Sequence, residues 1–362
     1  MQKFNTKRQI GKLYLIDGLG GVRIAGASWV ALLVARGFTT VEIGIIESIF
    51  HVVSMTFEIP SGAFADVLGR KKSMMVAQIM SVLSGILMIV SNSFWTVAFA
   101  IGINALSYNF ASGSREALAY DSLKENGKEE DYENFASTDS IIYEITSSLG
   151  TLLAGLALAL GYKKAYAIDI ILGVSAFIVA ARLIEVNPGH KEEMRMIQRT
   201  KEVFVDSFKF LKENRIARLV IIYDSLIGAV SVLLFFFMQA KLPVQGLPKF
   251  LLGPALFAMG LGGVIGAKIV TMIKAPAYKN TAIFAGSGTV IAIAASLSGI
   301  PWLMIFGGFL SGFAGTFIEI RSDVLLNNMI PSESRATLVS VASFTFSVIM
   351  IVMSPLAGMI FS

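Results

Sequence analysis

Ser73-Met-Met-Val-Ala-Gln-Ile-Met-Ser-Val-Leu-Ser-Gly-Ile-Leu-Met-Ile-Val90 carries one amide, three hydroxyls and no charge. About 20 mostly apolar residues in helical form cross the hydrocarbon core of a bilayer. Three cations, Arg70, Lys71 and Lys72, stand at one end of the stretch, and a second apolar run opens at Phe94 beyond the other. The pattern repeats along all 362 residues, of which 55% are apolar and 15% charged, with a mean hydropathy of +0.70. Soluble domains carry roughly 25% charge. Only helices and closed barrels satisfy their backbone inside lipid, and continuous apolarity at this length excludes the alternating strands of a barrel. The chain reads as all-α, a polytopic membrane helix bundle.

Composition excludes several chemistries. With 0 Cys and 2 His there is no disulfide framework, thiolate-bound metal or His-rich site. The net charge of +5 lies in loops between apolar runs, as topology determinants do, and argues against nucleic acid as a partner. No G-x-x-x-x-G-K-[ST] loop is present, so nothing points to a nucleotide-driven engine. The basic start, Met1 to Lys12, runs into a full-length apolar segment without a small-residue cleavage site and reads as a retained terminus.

Eleven spans are predicted, near 13–35, 42–63, 73–93, 95–118, 137–160, 165–186, 217–240, 250–273, 280–298, 301–320 and 336–361. With a cytoplasmic N-terminus the inner loops hold 21 Lys and Arg and the outer loops 5, namely Arg36, Lys163, Lys164, Lys241 and Lys249. Positive charge is retained inside, which orients the chain as a multi-pass protein of the cell membrane. Residues 187–216 form the one long charged connection, opened by the helix-breaking Asn187, Pro188 and Gly189. The chain therefore divides into a six-helix bundle over 1–186, a cytoplasmic linker over 187–216 and a second bundle over 217–362 with five spans. Within the linker, Ile197, Phe204, Phe208 and Leu211 recur at helical spacing and predict an amphipathic helix on the membrane surface; a solvated linker helix is the alternative. Small residues stand in corresponding places of the two halves, Gly150 and Gly155 in span five and Ser354, Pro355 and Gly358 in the last. Spans eight and ten are similarly rich in small residues, with Gly260, Gly262, Gly263 and Gly266 in one and Gly308, Gly312 and Gly315 in the other. Such stripes let helix backbones approach closely, and their matching positions hint at pseudo-symmetric halves.

Between spans two and three stands Gly62-Ala63-Phe64-Ala65-Asp66-Val67-Leu68-Gly69-Arg70-Lys71-Lys72. An ordinary positive-inside hairpin explains the basic cluster alone, but not the joint placement of Gly, small residue, Asp and Gly. This loop resembles the signature of the major facilitator superfamily, departing from it at Val67, where a basic residue is frequent. Pro331-Ser-Glu-Ser-Arg335-Ala-Thr and Ser112-Gly113-Ser-Arg115-Glu116-Ala-Leu-Ala-Tyr120-Asp121-Ser-Leu-Lys124 are similar to segments of drug/proton antiporter-like members. The resemblance implies two six-helix bundles, a mid-membrane cavity and alternating access. It also implies a twelfth span, not found among the eleven, so that the chain reads either as a shortened sequence or as a protein that works without a peripheral last helix. By the same resemblance Gly62, Asp66, Gly69, Arg70 and Lys71 form a cytoplasmic gate, with Asp66 facing the start of the last span near Ser332 and Ser334, where a carboxylate suits a helix N-terminus.

Ionisable groups inside spans cost several kcal/mol and are functional candidates. Arg23 falls mid-way in span one, and Glu47 with His51, at i and i+4, on one face of span two. These three are expected to line the cavity, with Glu47 exchanging a proton; a static Glu47–Arg23 pair is the alternative. Asp17, Asp139 and Glu144 lie where an inner gate or proton path would pass, and Asn104 and Asn109 offer amides to a substrate or to neighbouring helices. Asp169, Arg182, Asp224, Lys268 and Glu319 lie nearer helix ends, where long side chains snorkel. Glu58 and Glu116 read as gate or topology residues. The 26 Phe and 16 Met suit a plastic pocket, though such side chains more often face lipid or pack helices.

The expected function is secondary active transport by a monomer without cofactors, namely proton-coupled efflux of small amphipathic or drug-like molecules. Transport of a specific metabolite, possible for an anion through Arg23 and His51, and a non-transporting sensor or scaffold of the same fold are the rivals. An intramembrane enzyme lacks any metal or nucleophile constellation around His51. Asp66→Asn is expected to impair transport in vesicles while membrane insertion stays intact; unchanged rates would remove the latch role.

Overall fold

A computed structural model describes residues 5–186, 209, 212–273, 277–329 and 335–362, and every regular element among them is helical. The all-α bundle is as expected. Seven helices are long and apolar enough to cross a membrane: Thr40–Leu68, Arg70–Val90, Tyr162–Ala181, Arg215–Val244, Lys249–Met272, Pro301–Met329 and Ser340–Ile360. The pair Glu129–Leu152 and Ala154–Leu160, bent by 46°, makes an eighth if it counts as one span. Large apolar side chains such as Phe99, Val264 and Val290 are more than 60% exposed on the protein surface, as a lipid-facing helix requires.

The remaining three expected spans are built differently. The first is broken into α1 (Thr6–Gly21), α2 (Ile24–Ala27) and α3 (Trp29–Ala35). The fourth stops as α6 (Phe94–Ala111), turns at Gly113 with φ +69°, and resumes as α7 (Ser114–Lys124). The ninth is α13 (Tyr278–Ser296), a helix of 19 residues. The other helices are α4 (Thr40–Leu68), α5 (Arg70–Val90), α8 (Tyr132–Leu152), α9 (Ala154–Leu160), α10 (Tyr162–Ala181), α11 (Arg215–Val244), α12 (Leu252–Met272), α14 (Pro301–Met329) and α15 (Arg335–Ile360).

By internal packing the chain forms two units, residues 1–32 with 52–200, and residues 33–51 with 201–362. The amphipathic stripe of Ile197, Phe204, Phe208 and Leu211 lies outside the described residues. In the first unit α5, α6 and α10 pack together, with Ser84 Oγ donating to the Ala100 carbonyl at 2.8 Å, while Leu13, Met74, Leu118, Phe135 and Leu183 form a buried cluster.

Residues 33–51 belong to the second unit for a readable reason. Pro355 sits inside α15 and has no N–H, so the Ile351 carbonyl four residues earlier has no helical donor. Ser48 Oγ supplies one at 2.8 Å, and Thr40 Oγ1 donates to the Gly358 carbonyl at 2.8 Å. Gly44 and Gly358 make the approach possible, since a Cβ on either would meet backbone of the facing helix. The glycine stripes of α12 and α14 work in the same way. Gly262 and Gly266 face the carbonyls of Phe309 and Phe313, and Gly312 faces that of Met259. Gly260 has open space beside it. Gly262→Ala is therefore expected to destabilise the second unit by about 1–3 kcal/mol, because backbone cannot yield as a side chain does. Gly260→Ala should leave the melting temperature in detergent within error; equal effects of the two would reject close packing as the role of the stripe.

Candidate functional site

The loop between α4 and α5 is organised by a residue from beyond α10. Helix α5 begins with Arg70-Lys71-Lys72, with no acidic residue in its first turn and no capping side chain of its own. Its orphan N–H groups are met by Glu185, whose two oxygens accept from Arg70 N at 3.2 Å and Lys71 N at 2.8 Å. Gly69 is required twice, by its φ of +102° and because a Cβ there would strike the Glu185 carboxylate. Burial pushes the Glu185 carboxyl above its ordinary range, and the N–H groups and charges of Lys71 and Arg70 pull it back only in part. The Arg70 guanidinium pairs with Asp121 and donates to the Ala117 carbonyl at 2.9 Å, tying the loop to α7. Gly62 and Asp66 are exposed along the last turns of α4, and Ser332 and Ser334, the expected partners of Asp66, lie outside the described residues.

Arg23 and Glu47 belong to different units. Arg23 caps α2 at the break in the first span and lies within electrostatic reach of Asp169 on α10. Asp169 accepts from the N–H groups of Ile24 and Gly26, both at 2.9 Å, so one carboxylate serves both the broken backbone and the adjacent cation. Gly150 on α8 closes against the carbonyls of Gly21 and Arg23. Glu47 pairs with His51 at 3.3 Å, as the i, i+4 spacing suggested, and the His51 ring stands edge-on to Phe50 and Phe346. Asn109 engages both ends of its amide with Ser54, accepting from Oγ at 2.8 Å and donating to the carbonyl at 2.6 Å, which is helix knitting between α4 and α6. Asn104 is half-buried on α6.

Two cavities gather several of the remaining ionisable residues, though not Glu58, Arg182 or Lys268. In the first unit, Arg115 on α7 pairs with Asp17 of α1, with Glu116 at 3.0 Å and with Asp139 of α8 at 3.0 Å. A cavity of about 230 Å³ opens there, lined by Arg115, Glu116, Asp139, Tyr143 and Glu144 among others. Asp17, Asp139 and Glu144 thus gather at one place, as their positions along the spans suggested, around an arginine that the sequence reading had only within a family-like segment.

In the second unit, Asp224 of α11 and Glu319 and Asp323 of α14 line a cavity of about 450 Å³ together with Ser225, Thr316 and Phe346. Asp224 accepts a hydrogen bond from Ser322, whose hydroxyl also meets Tyr278 at 2.9 Å. Among the described residues neither Lys nor Arg lines this cavity. Asp224 and Glu319 read in the sequence as snorkelling helix-end residues, and Asp323 was not singled out. The available signal was the spacing of Glu319 and Asp323, two carboxylates at i, i+4 on an apolar helix with no cation of matching spacing. Among the described residues no group of His, Cys, Asp and Glu is arranged to hold a metal ion.

The sequence matches the Major Facilitator Superfamily over residues 15–297. No curated protein matches it. Among solved structures, nucleoside transporter NupG superposes with a TM-score of 0.74 at 15% identity, covering 98% of this chain and 90% of that one. A bacterial homologue of the human lysosomal transporter Spinster, inward-facing and unoccupied, gives 0.70 at 14%, covering 97% and 81%. A D-xylose-proton symporter gives 0.65 at 12%, covering 98% and 89%. At these identities the likeness establishes the fold. Helices long enough to span a bilayer, the glycine-punctuated loop at Gly69 and the match over most of its length place this multi-pass membrane chain in the Major Facilitator Superfamily, as a transporter of small molecules.

Proposed function

We propose that the chain is a proton-coupled exporter of small amphipathic cations, working by alternating access in the cell membrane with its N-terminus in the cytoplasm. The observation that carries this is the cavity of the second unit, where Asp224, Glu319 and Asp323 stand with Phe346 and, among the described residues, no basic side chain. Its volume of about 450 Å³ falls in the range of small-molecule sites. Unbalanced carboxylates in low dielectric favour either a cationic ligand or protons, and competition between the two is the elementary step of an antiporter. One structural neighbour is described as a D-xylose-proton symporter, a precedent in this fold for the proton as coupling ion.

The rival reading, a metabolite anion held by Arg23 and His51, has less support, because Arg23 is faced by Asp169 and His51 by Glu47. On the proposed reading Glu47 and His51, paired on one face of α4, take part in coupling, and Asn104 and Asn109 position helices. Gly62, Asp66, Gly69, Arg70 and Lys71 serve the cytoplasmic gate, with Arg70 anchored by Asp121 and the backbone of α5 by Glu185.

The test is a melting-temperature screen of the purified protein with tetraphenylphosphonium, tetraphenylborate, a nucleoside and xylose, since a ligand stabilises the folded state according to its occupancy. Tetraphenylphosphonium is expected to raise the melting temperature and, in proteoliposomes, to dissipate an imposed pH gradient. Asp224→Asn and Glu319→Gln should each weaken that binding by about tenfold, equivalent to about 1.4 kcal/mol. Stabilisation by the anion instead, or unchanged cation binding in both variants, would reject the acid-lined cavity as the substrate site.

A further inference from the structure

We infer that Asp17 and Asp139, bridged by Arg115, form an exchangeable proton site in the first unit, separate from the acid-lined cavity of the second. Three helices build it. Asp17 comes from α1, Arg115 and Glu116 from the start of α7, and Asp139 from α8. The αL turn at Gly113 makes this possible, because it ends α6 and lets α7 begin one residue before Arg115.

The argument is one of unsatisfied atoms. Asp17 is 5% exposed and Asp139 6%. Each of the three carboxylates gives one oxygen to the guanidinium, and each keeps a second oxygen buried without a hydrogen-bond partner: Asp17 Oδ2, Asp139 Oδ1 and Glu116 Oε2. Arginine does not give up its proton, so three carboxylates and one guanidinium leave two negative charges in excess. The surroundings do not offset them. Tyr143 and Glu144 on α8 add a phenol and a further acid, Tyr14 and Tyr132 stack about Phe135, and neither Lys nor His lines the cavity. An isolated buried charge neutralises by taking up a proton rather than staying bare. A proton on Asp17 or Asp139 removes one excess charge and turns an unpartnered acceptor into a donor. The cavity of about 230 Å³, with Tyr143 and Glu144 exposed on its wall, gives water a route to deliver and remove that proton. Arg115 holds both groups, so protonation of one releases part of its fork toward the others, which makes α1, α7 and α8 respond together.

The role of this site in coupling rests on the proton-coupled reading above; its existence does not, and the experiment needs no substrate. The full chain in nanodiscs is stepped through pH while infrared difference spectra follow the carbonyl stretch of protonated carboxyl groups. The expected result is a protonated-carboxyl band present at pH 7 that vanishes at higher pH. One component of it should be missing in both Asp139→Asn and Asp17→Asn and unchanged in Glu144→Gln, while Asp224→Asn removes at most a separate component that belongs to the second unit's cavity. If a carboxamide variant does not fold, Asp139→Glu carries the test: it keeps the carboxyl one methylene further out and should shift the titration by about one pH unit or more, against no shift on the opposing view. Difference spectra of Asp17→Asn and Asp139→Asn that both match the unsubstituted protein, with a component lost only in Asp224→Asn, overturn the assignment. So does a band that responds to exchanging sodium or potassium for choline at fixed pH, which would make this an inorganic-cation site. A persistent band beside a failed ligand screen would sink the substrate reading and leave this site standing.

Discussion

Hydrocarbon offers no hydrogen-bond partner, and at two departures from straight helix, as at the loop before α5, a side chain takes the place of a missing backbone partner. At the break in the first span, Asp169 receives the N–H groups of Ile24 and Gly26. At Pro355, Ser48 donates to the Ile351 carbonyl that the ring leaves open. At the start of α5, Glu185 receives the N–H groups of Arg70 and Lys71. Each donor or acceptor comes from a different helix, so satisfying a local defect also ties two elements together. An unsatisfied backbone group in such surroundings costs several kcal/mol, more than a typical surface contact contributes. Breaks are therefore tolerated only where a partner of the right kind is held nearby.

The same bookkeeping applied to charge separates structural from functional groups. Arg70 with Asp121 and Glu47 with His51 are one-to-one pairs, and Arg23 lies within electrostatic reach of Asp169. The group about Arg115 and the cavity about Asp224 are not balanced, since carboxylates outnumber cations in both. Ion pairs of the first kind set helix register and orientation. Imbalance of the second kind leaves free energy to be gained by taking up a proton or a cation, which is what a transporter must do reversibly.

Much of this was legible in one dimension. Apolar length located helices, the density of Gly predicted close helix contacts, and the glycine, aspartate and basic spacing of 62–72 identified the loop that resembles the family signature. The i, i+4 spacing of Glu47 and His51 anticipated their pairing. Asp17, Asp139 and Glu144 were legible as a group by their common depth, but the cation that unites the two aspartates was not, because Arg115 is about 100 residues from one of them and its reach depends on the turn at Gly113. Asp169 read as a helix-end residue and Glu185 was not singled out, since nothing in their own neighbourhoods shows that they accept from backbone 145 and 115 residues away.

Sequence by itself determined the solvent, the helical class and the points where helices must touch, because those depend on apolar length and on the absence of a Cβ, both local properties. Tertiary structure alone decided which charges are compensated. A carboxylate at a given depth is a cap, half of an ion pair or an unpaired acceptor according to what a distant helix presents to it. That choice is made by packing, in which hydrogen-bond reach of about 3 Å selects one partner from many of equal depth.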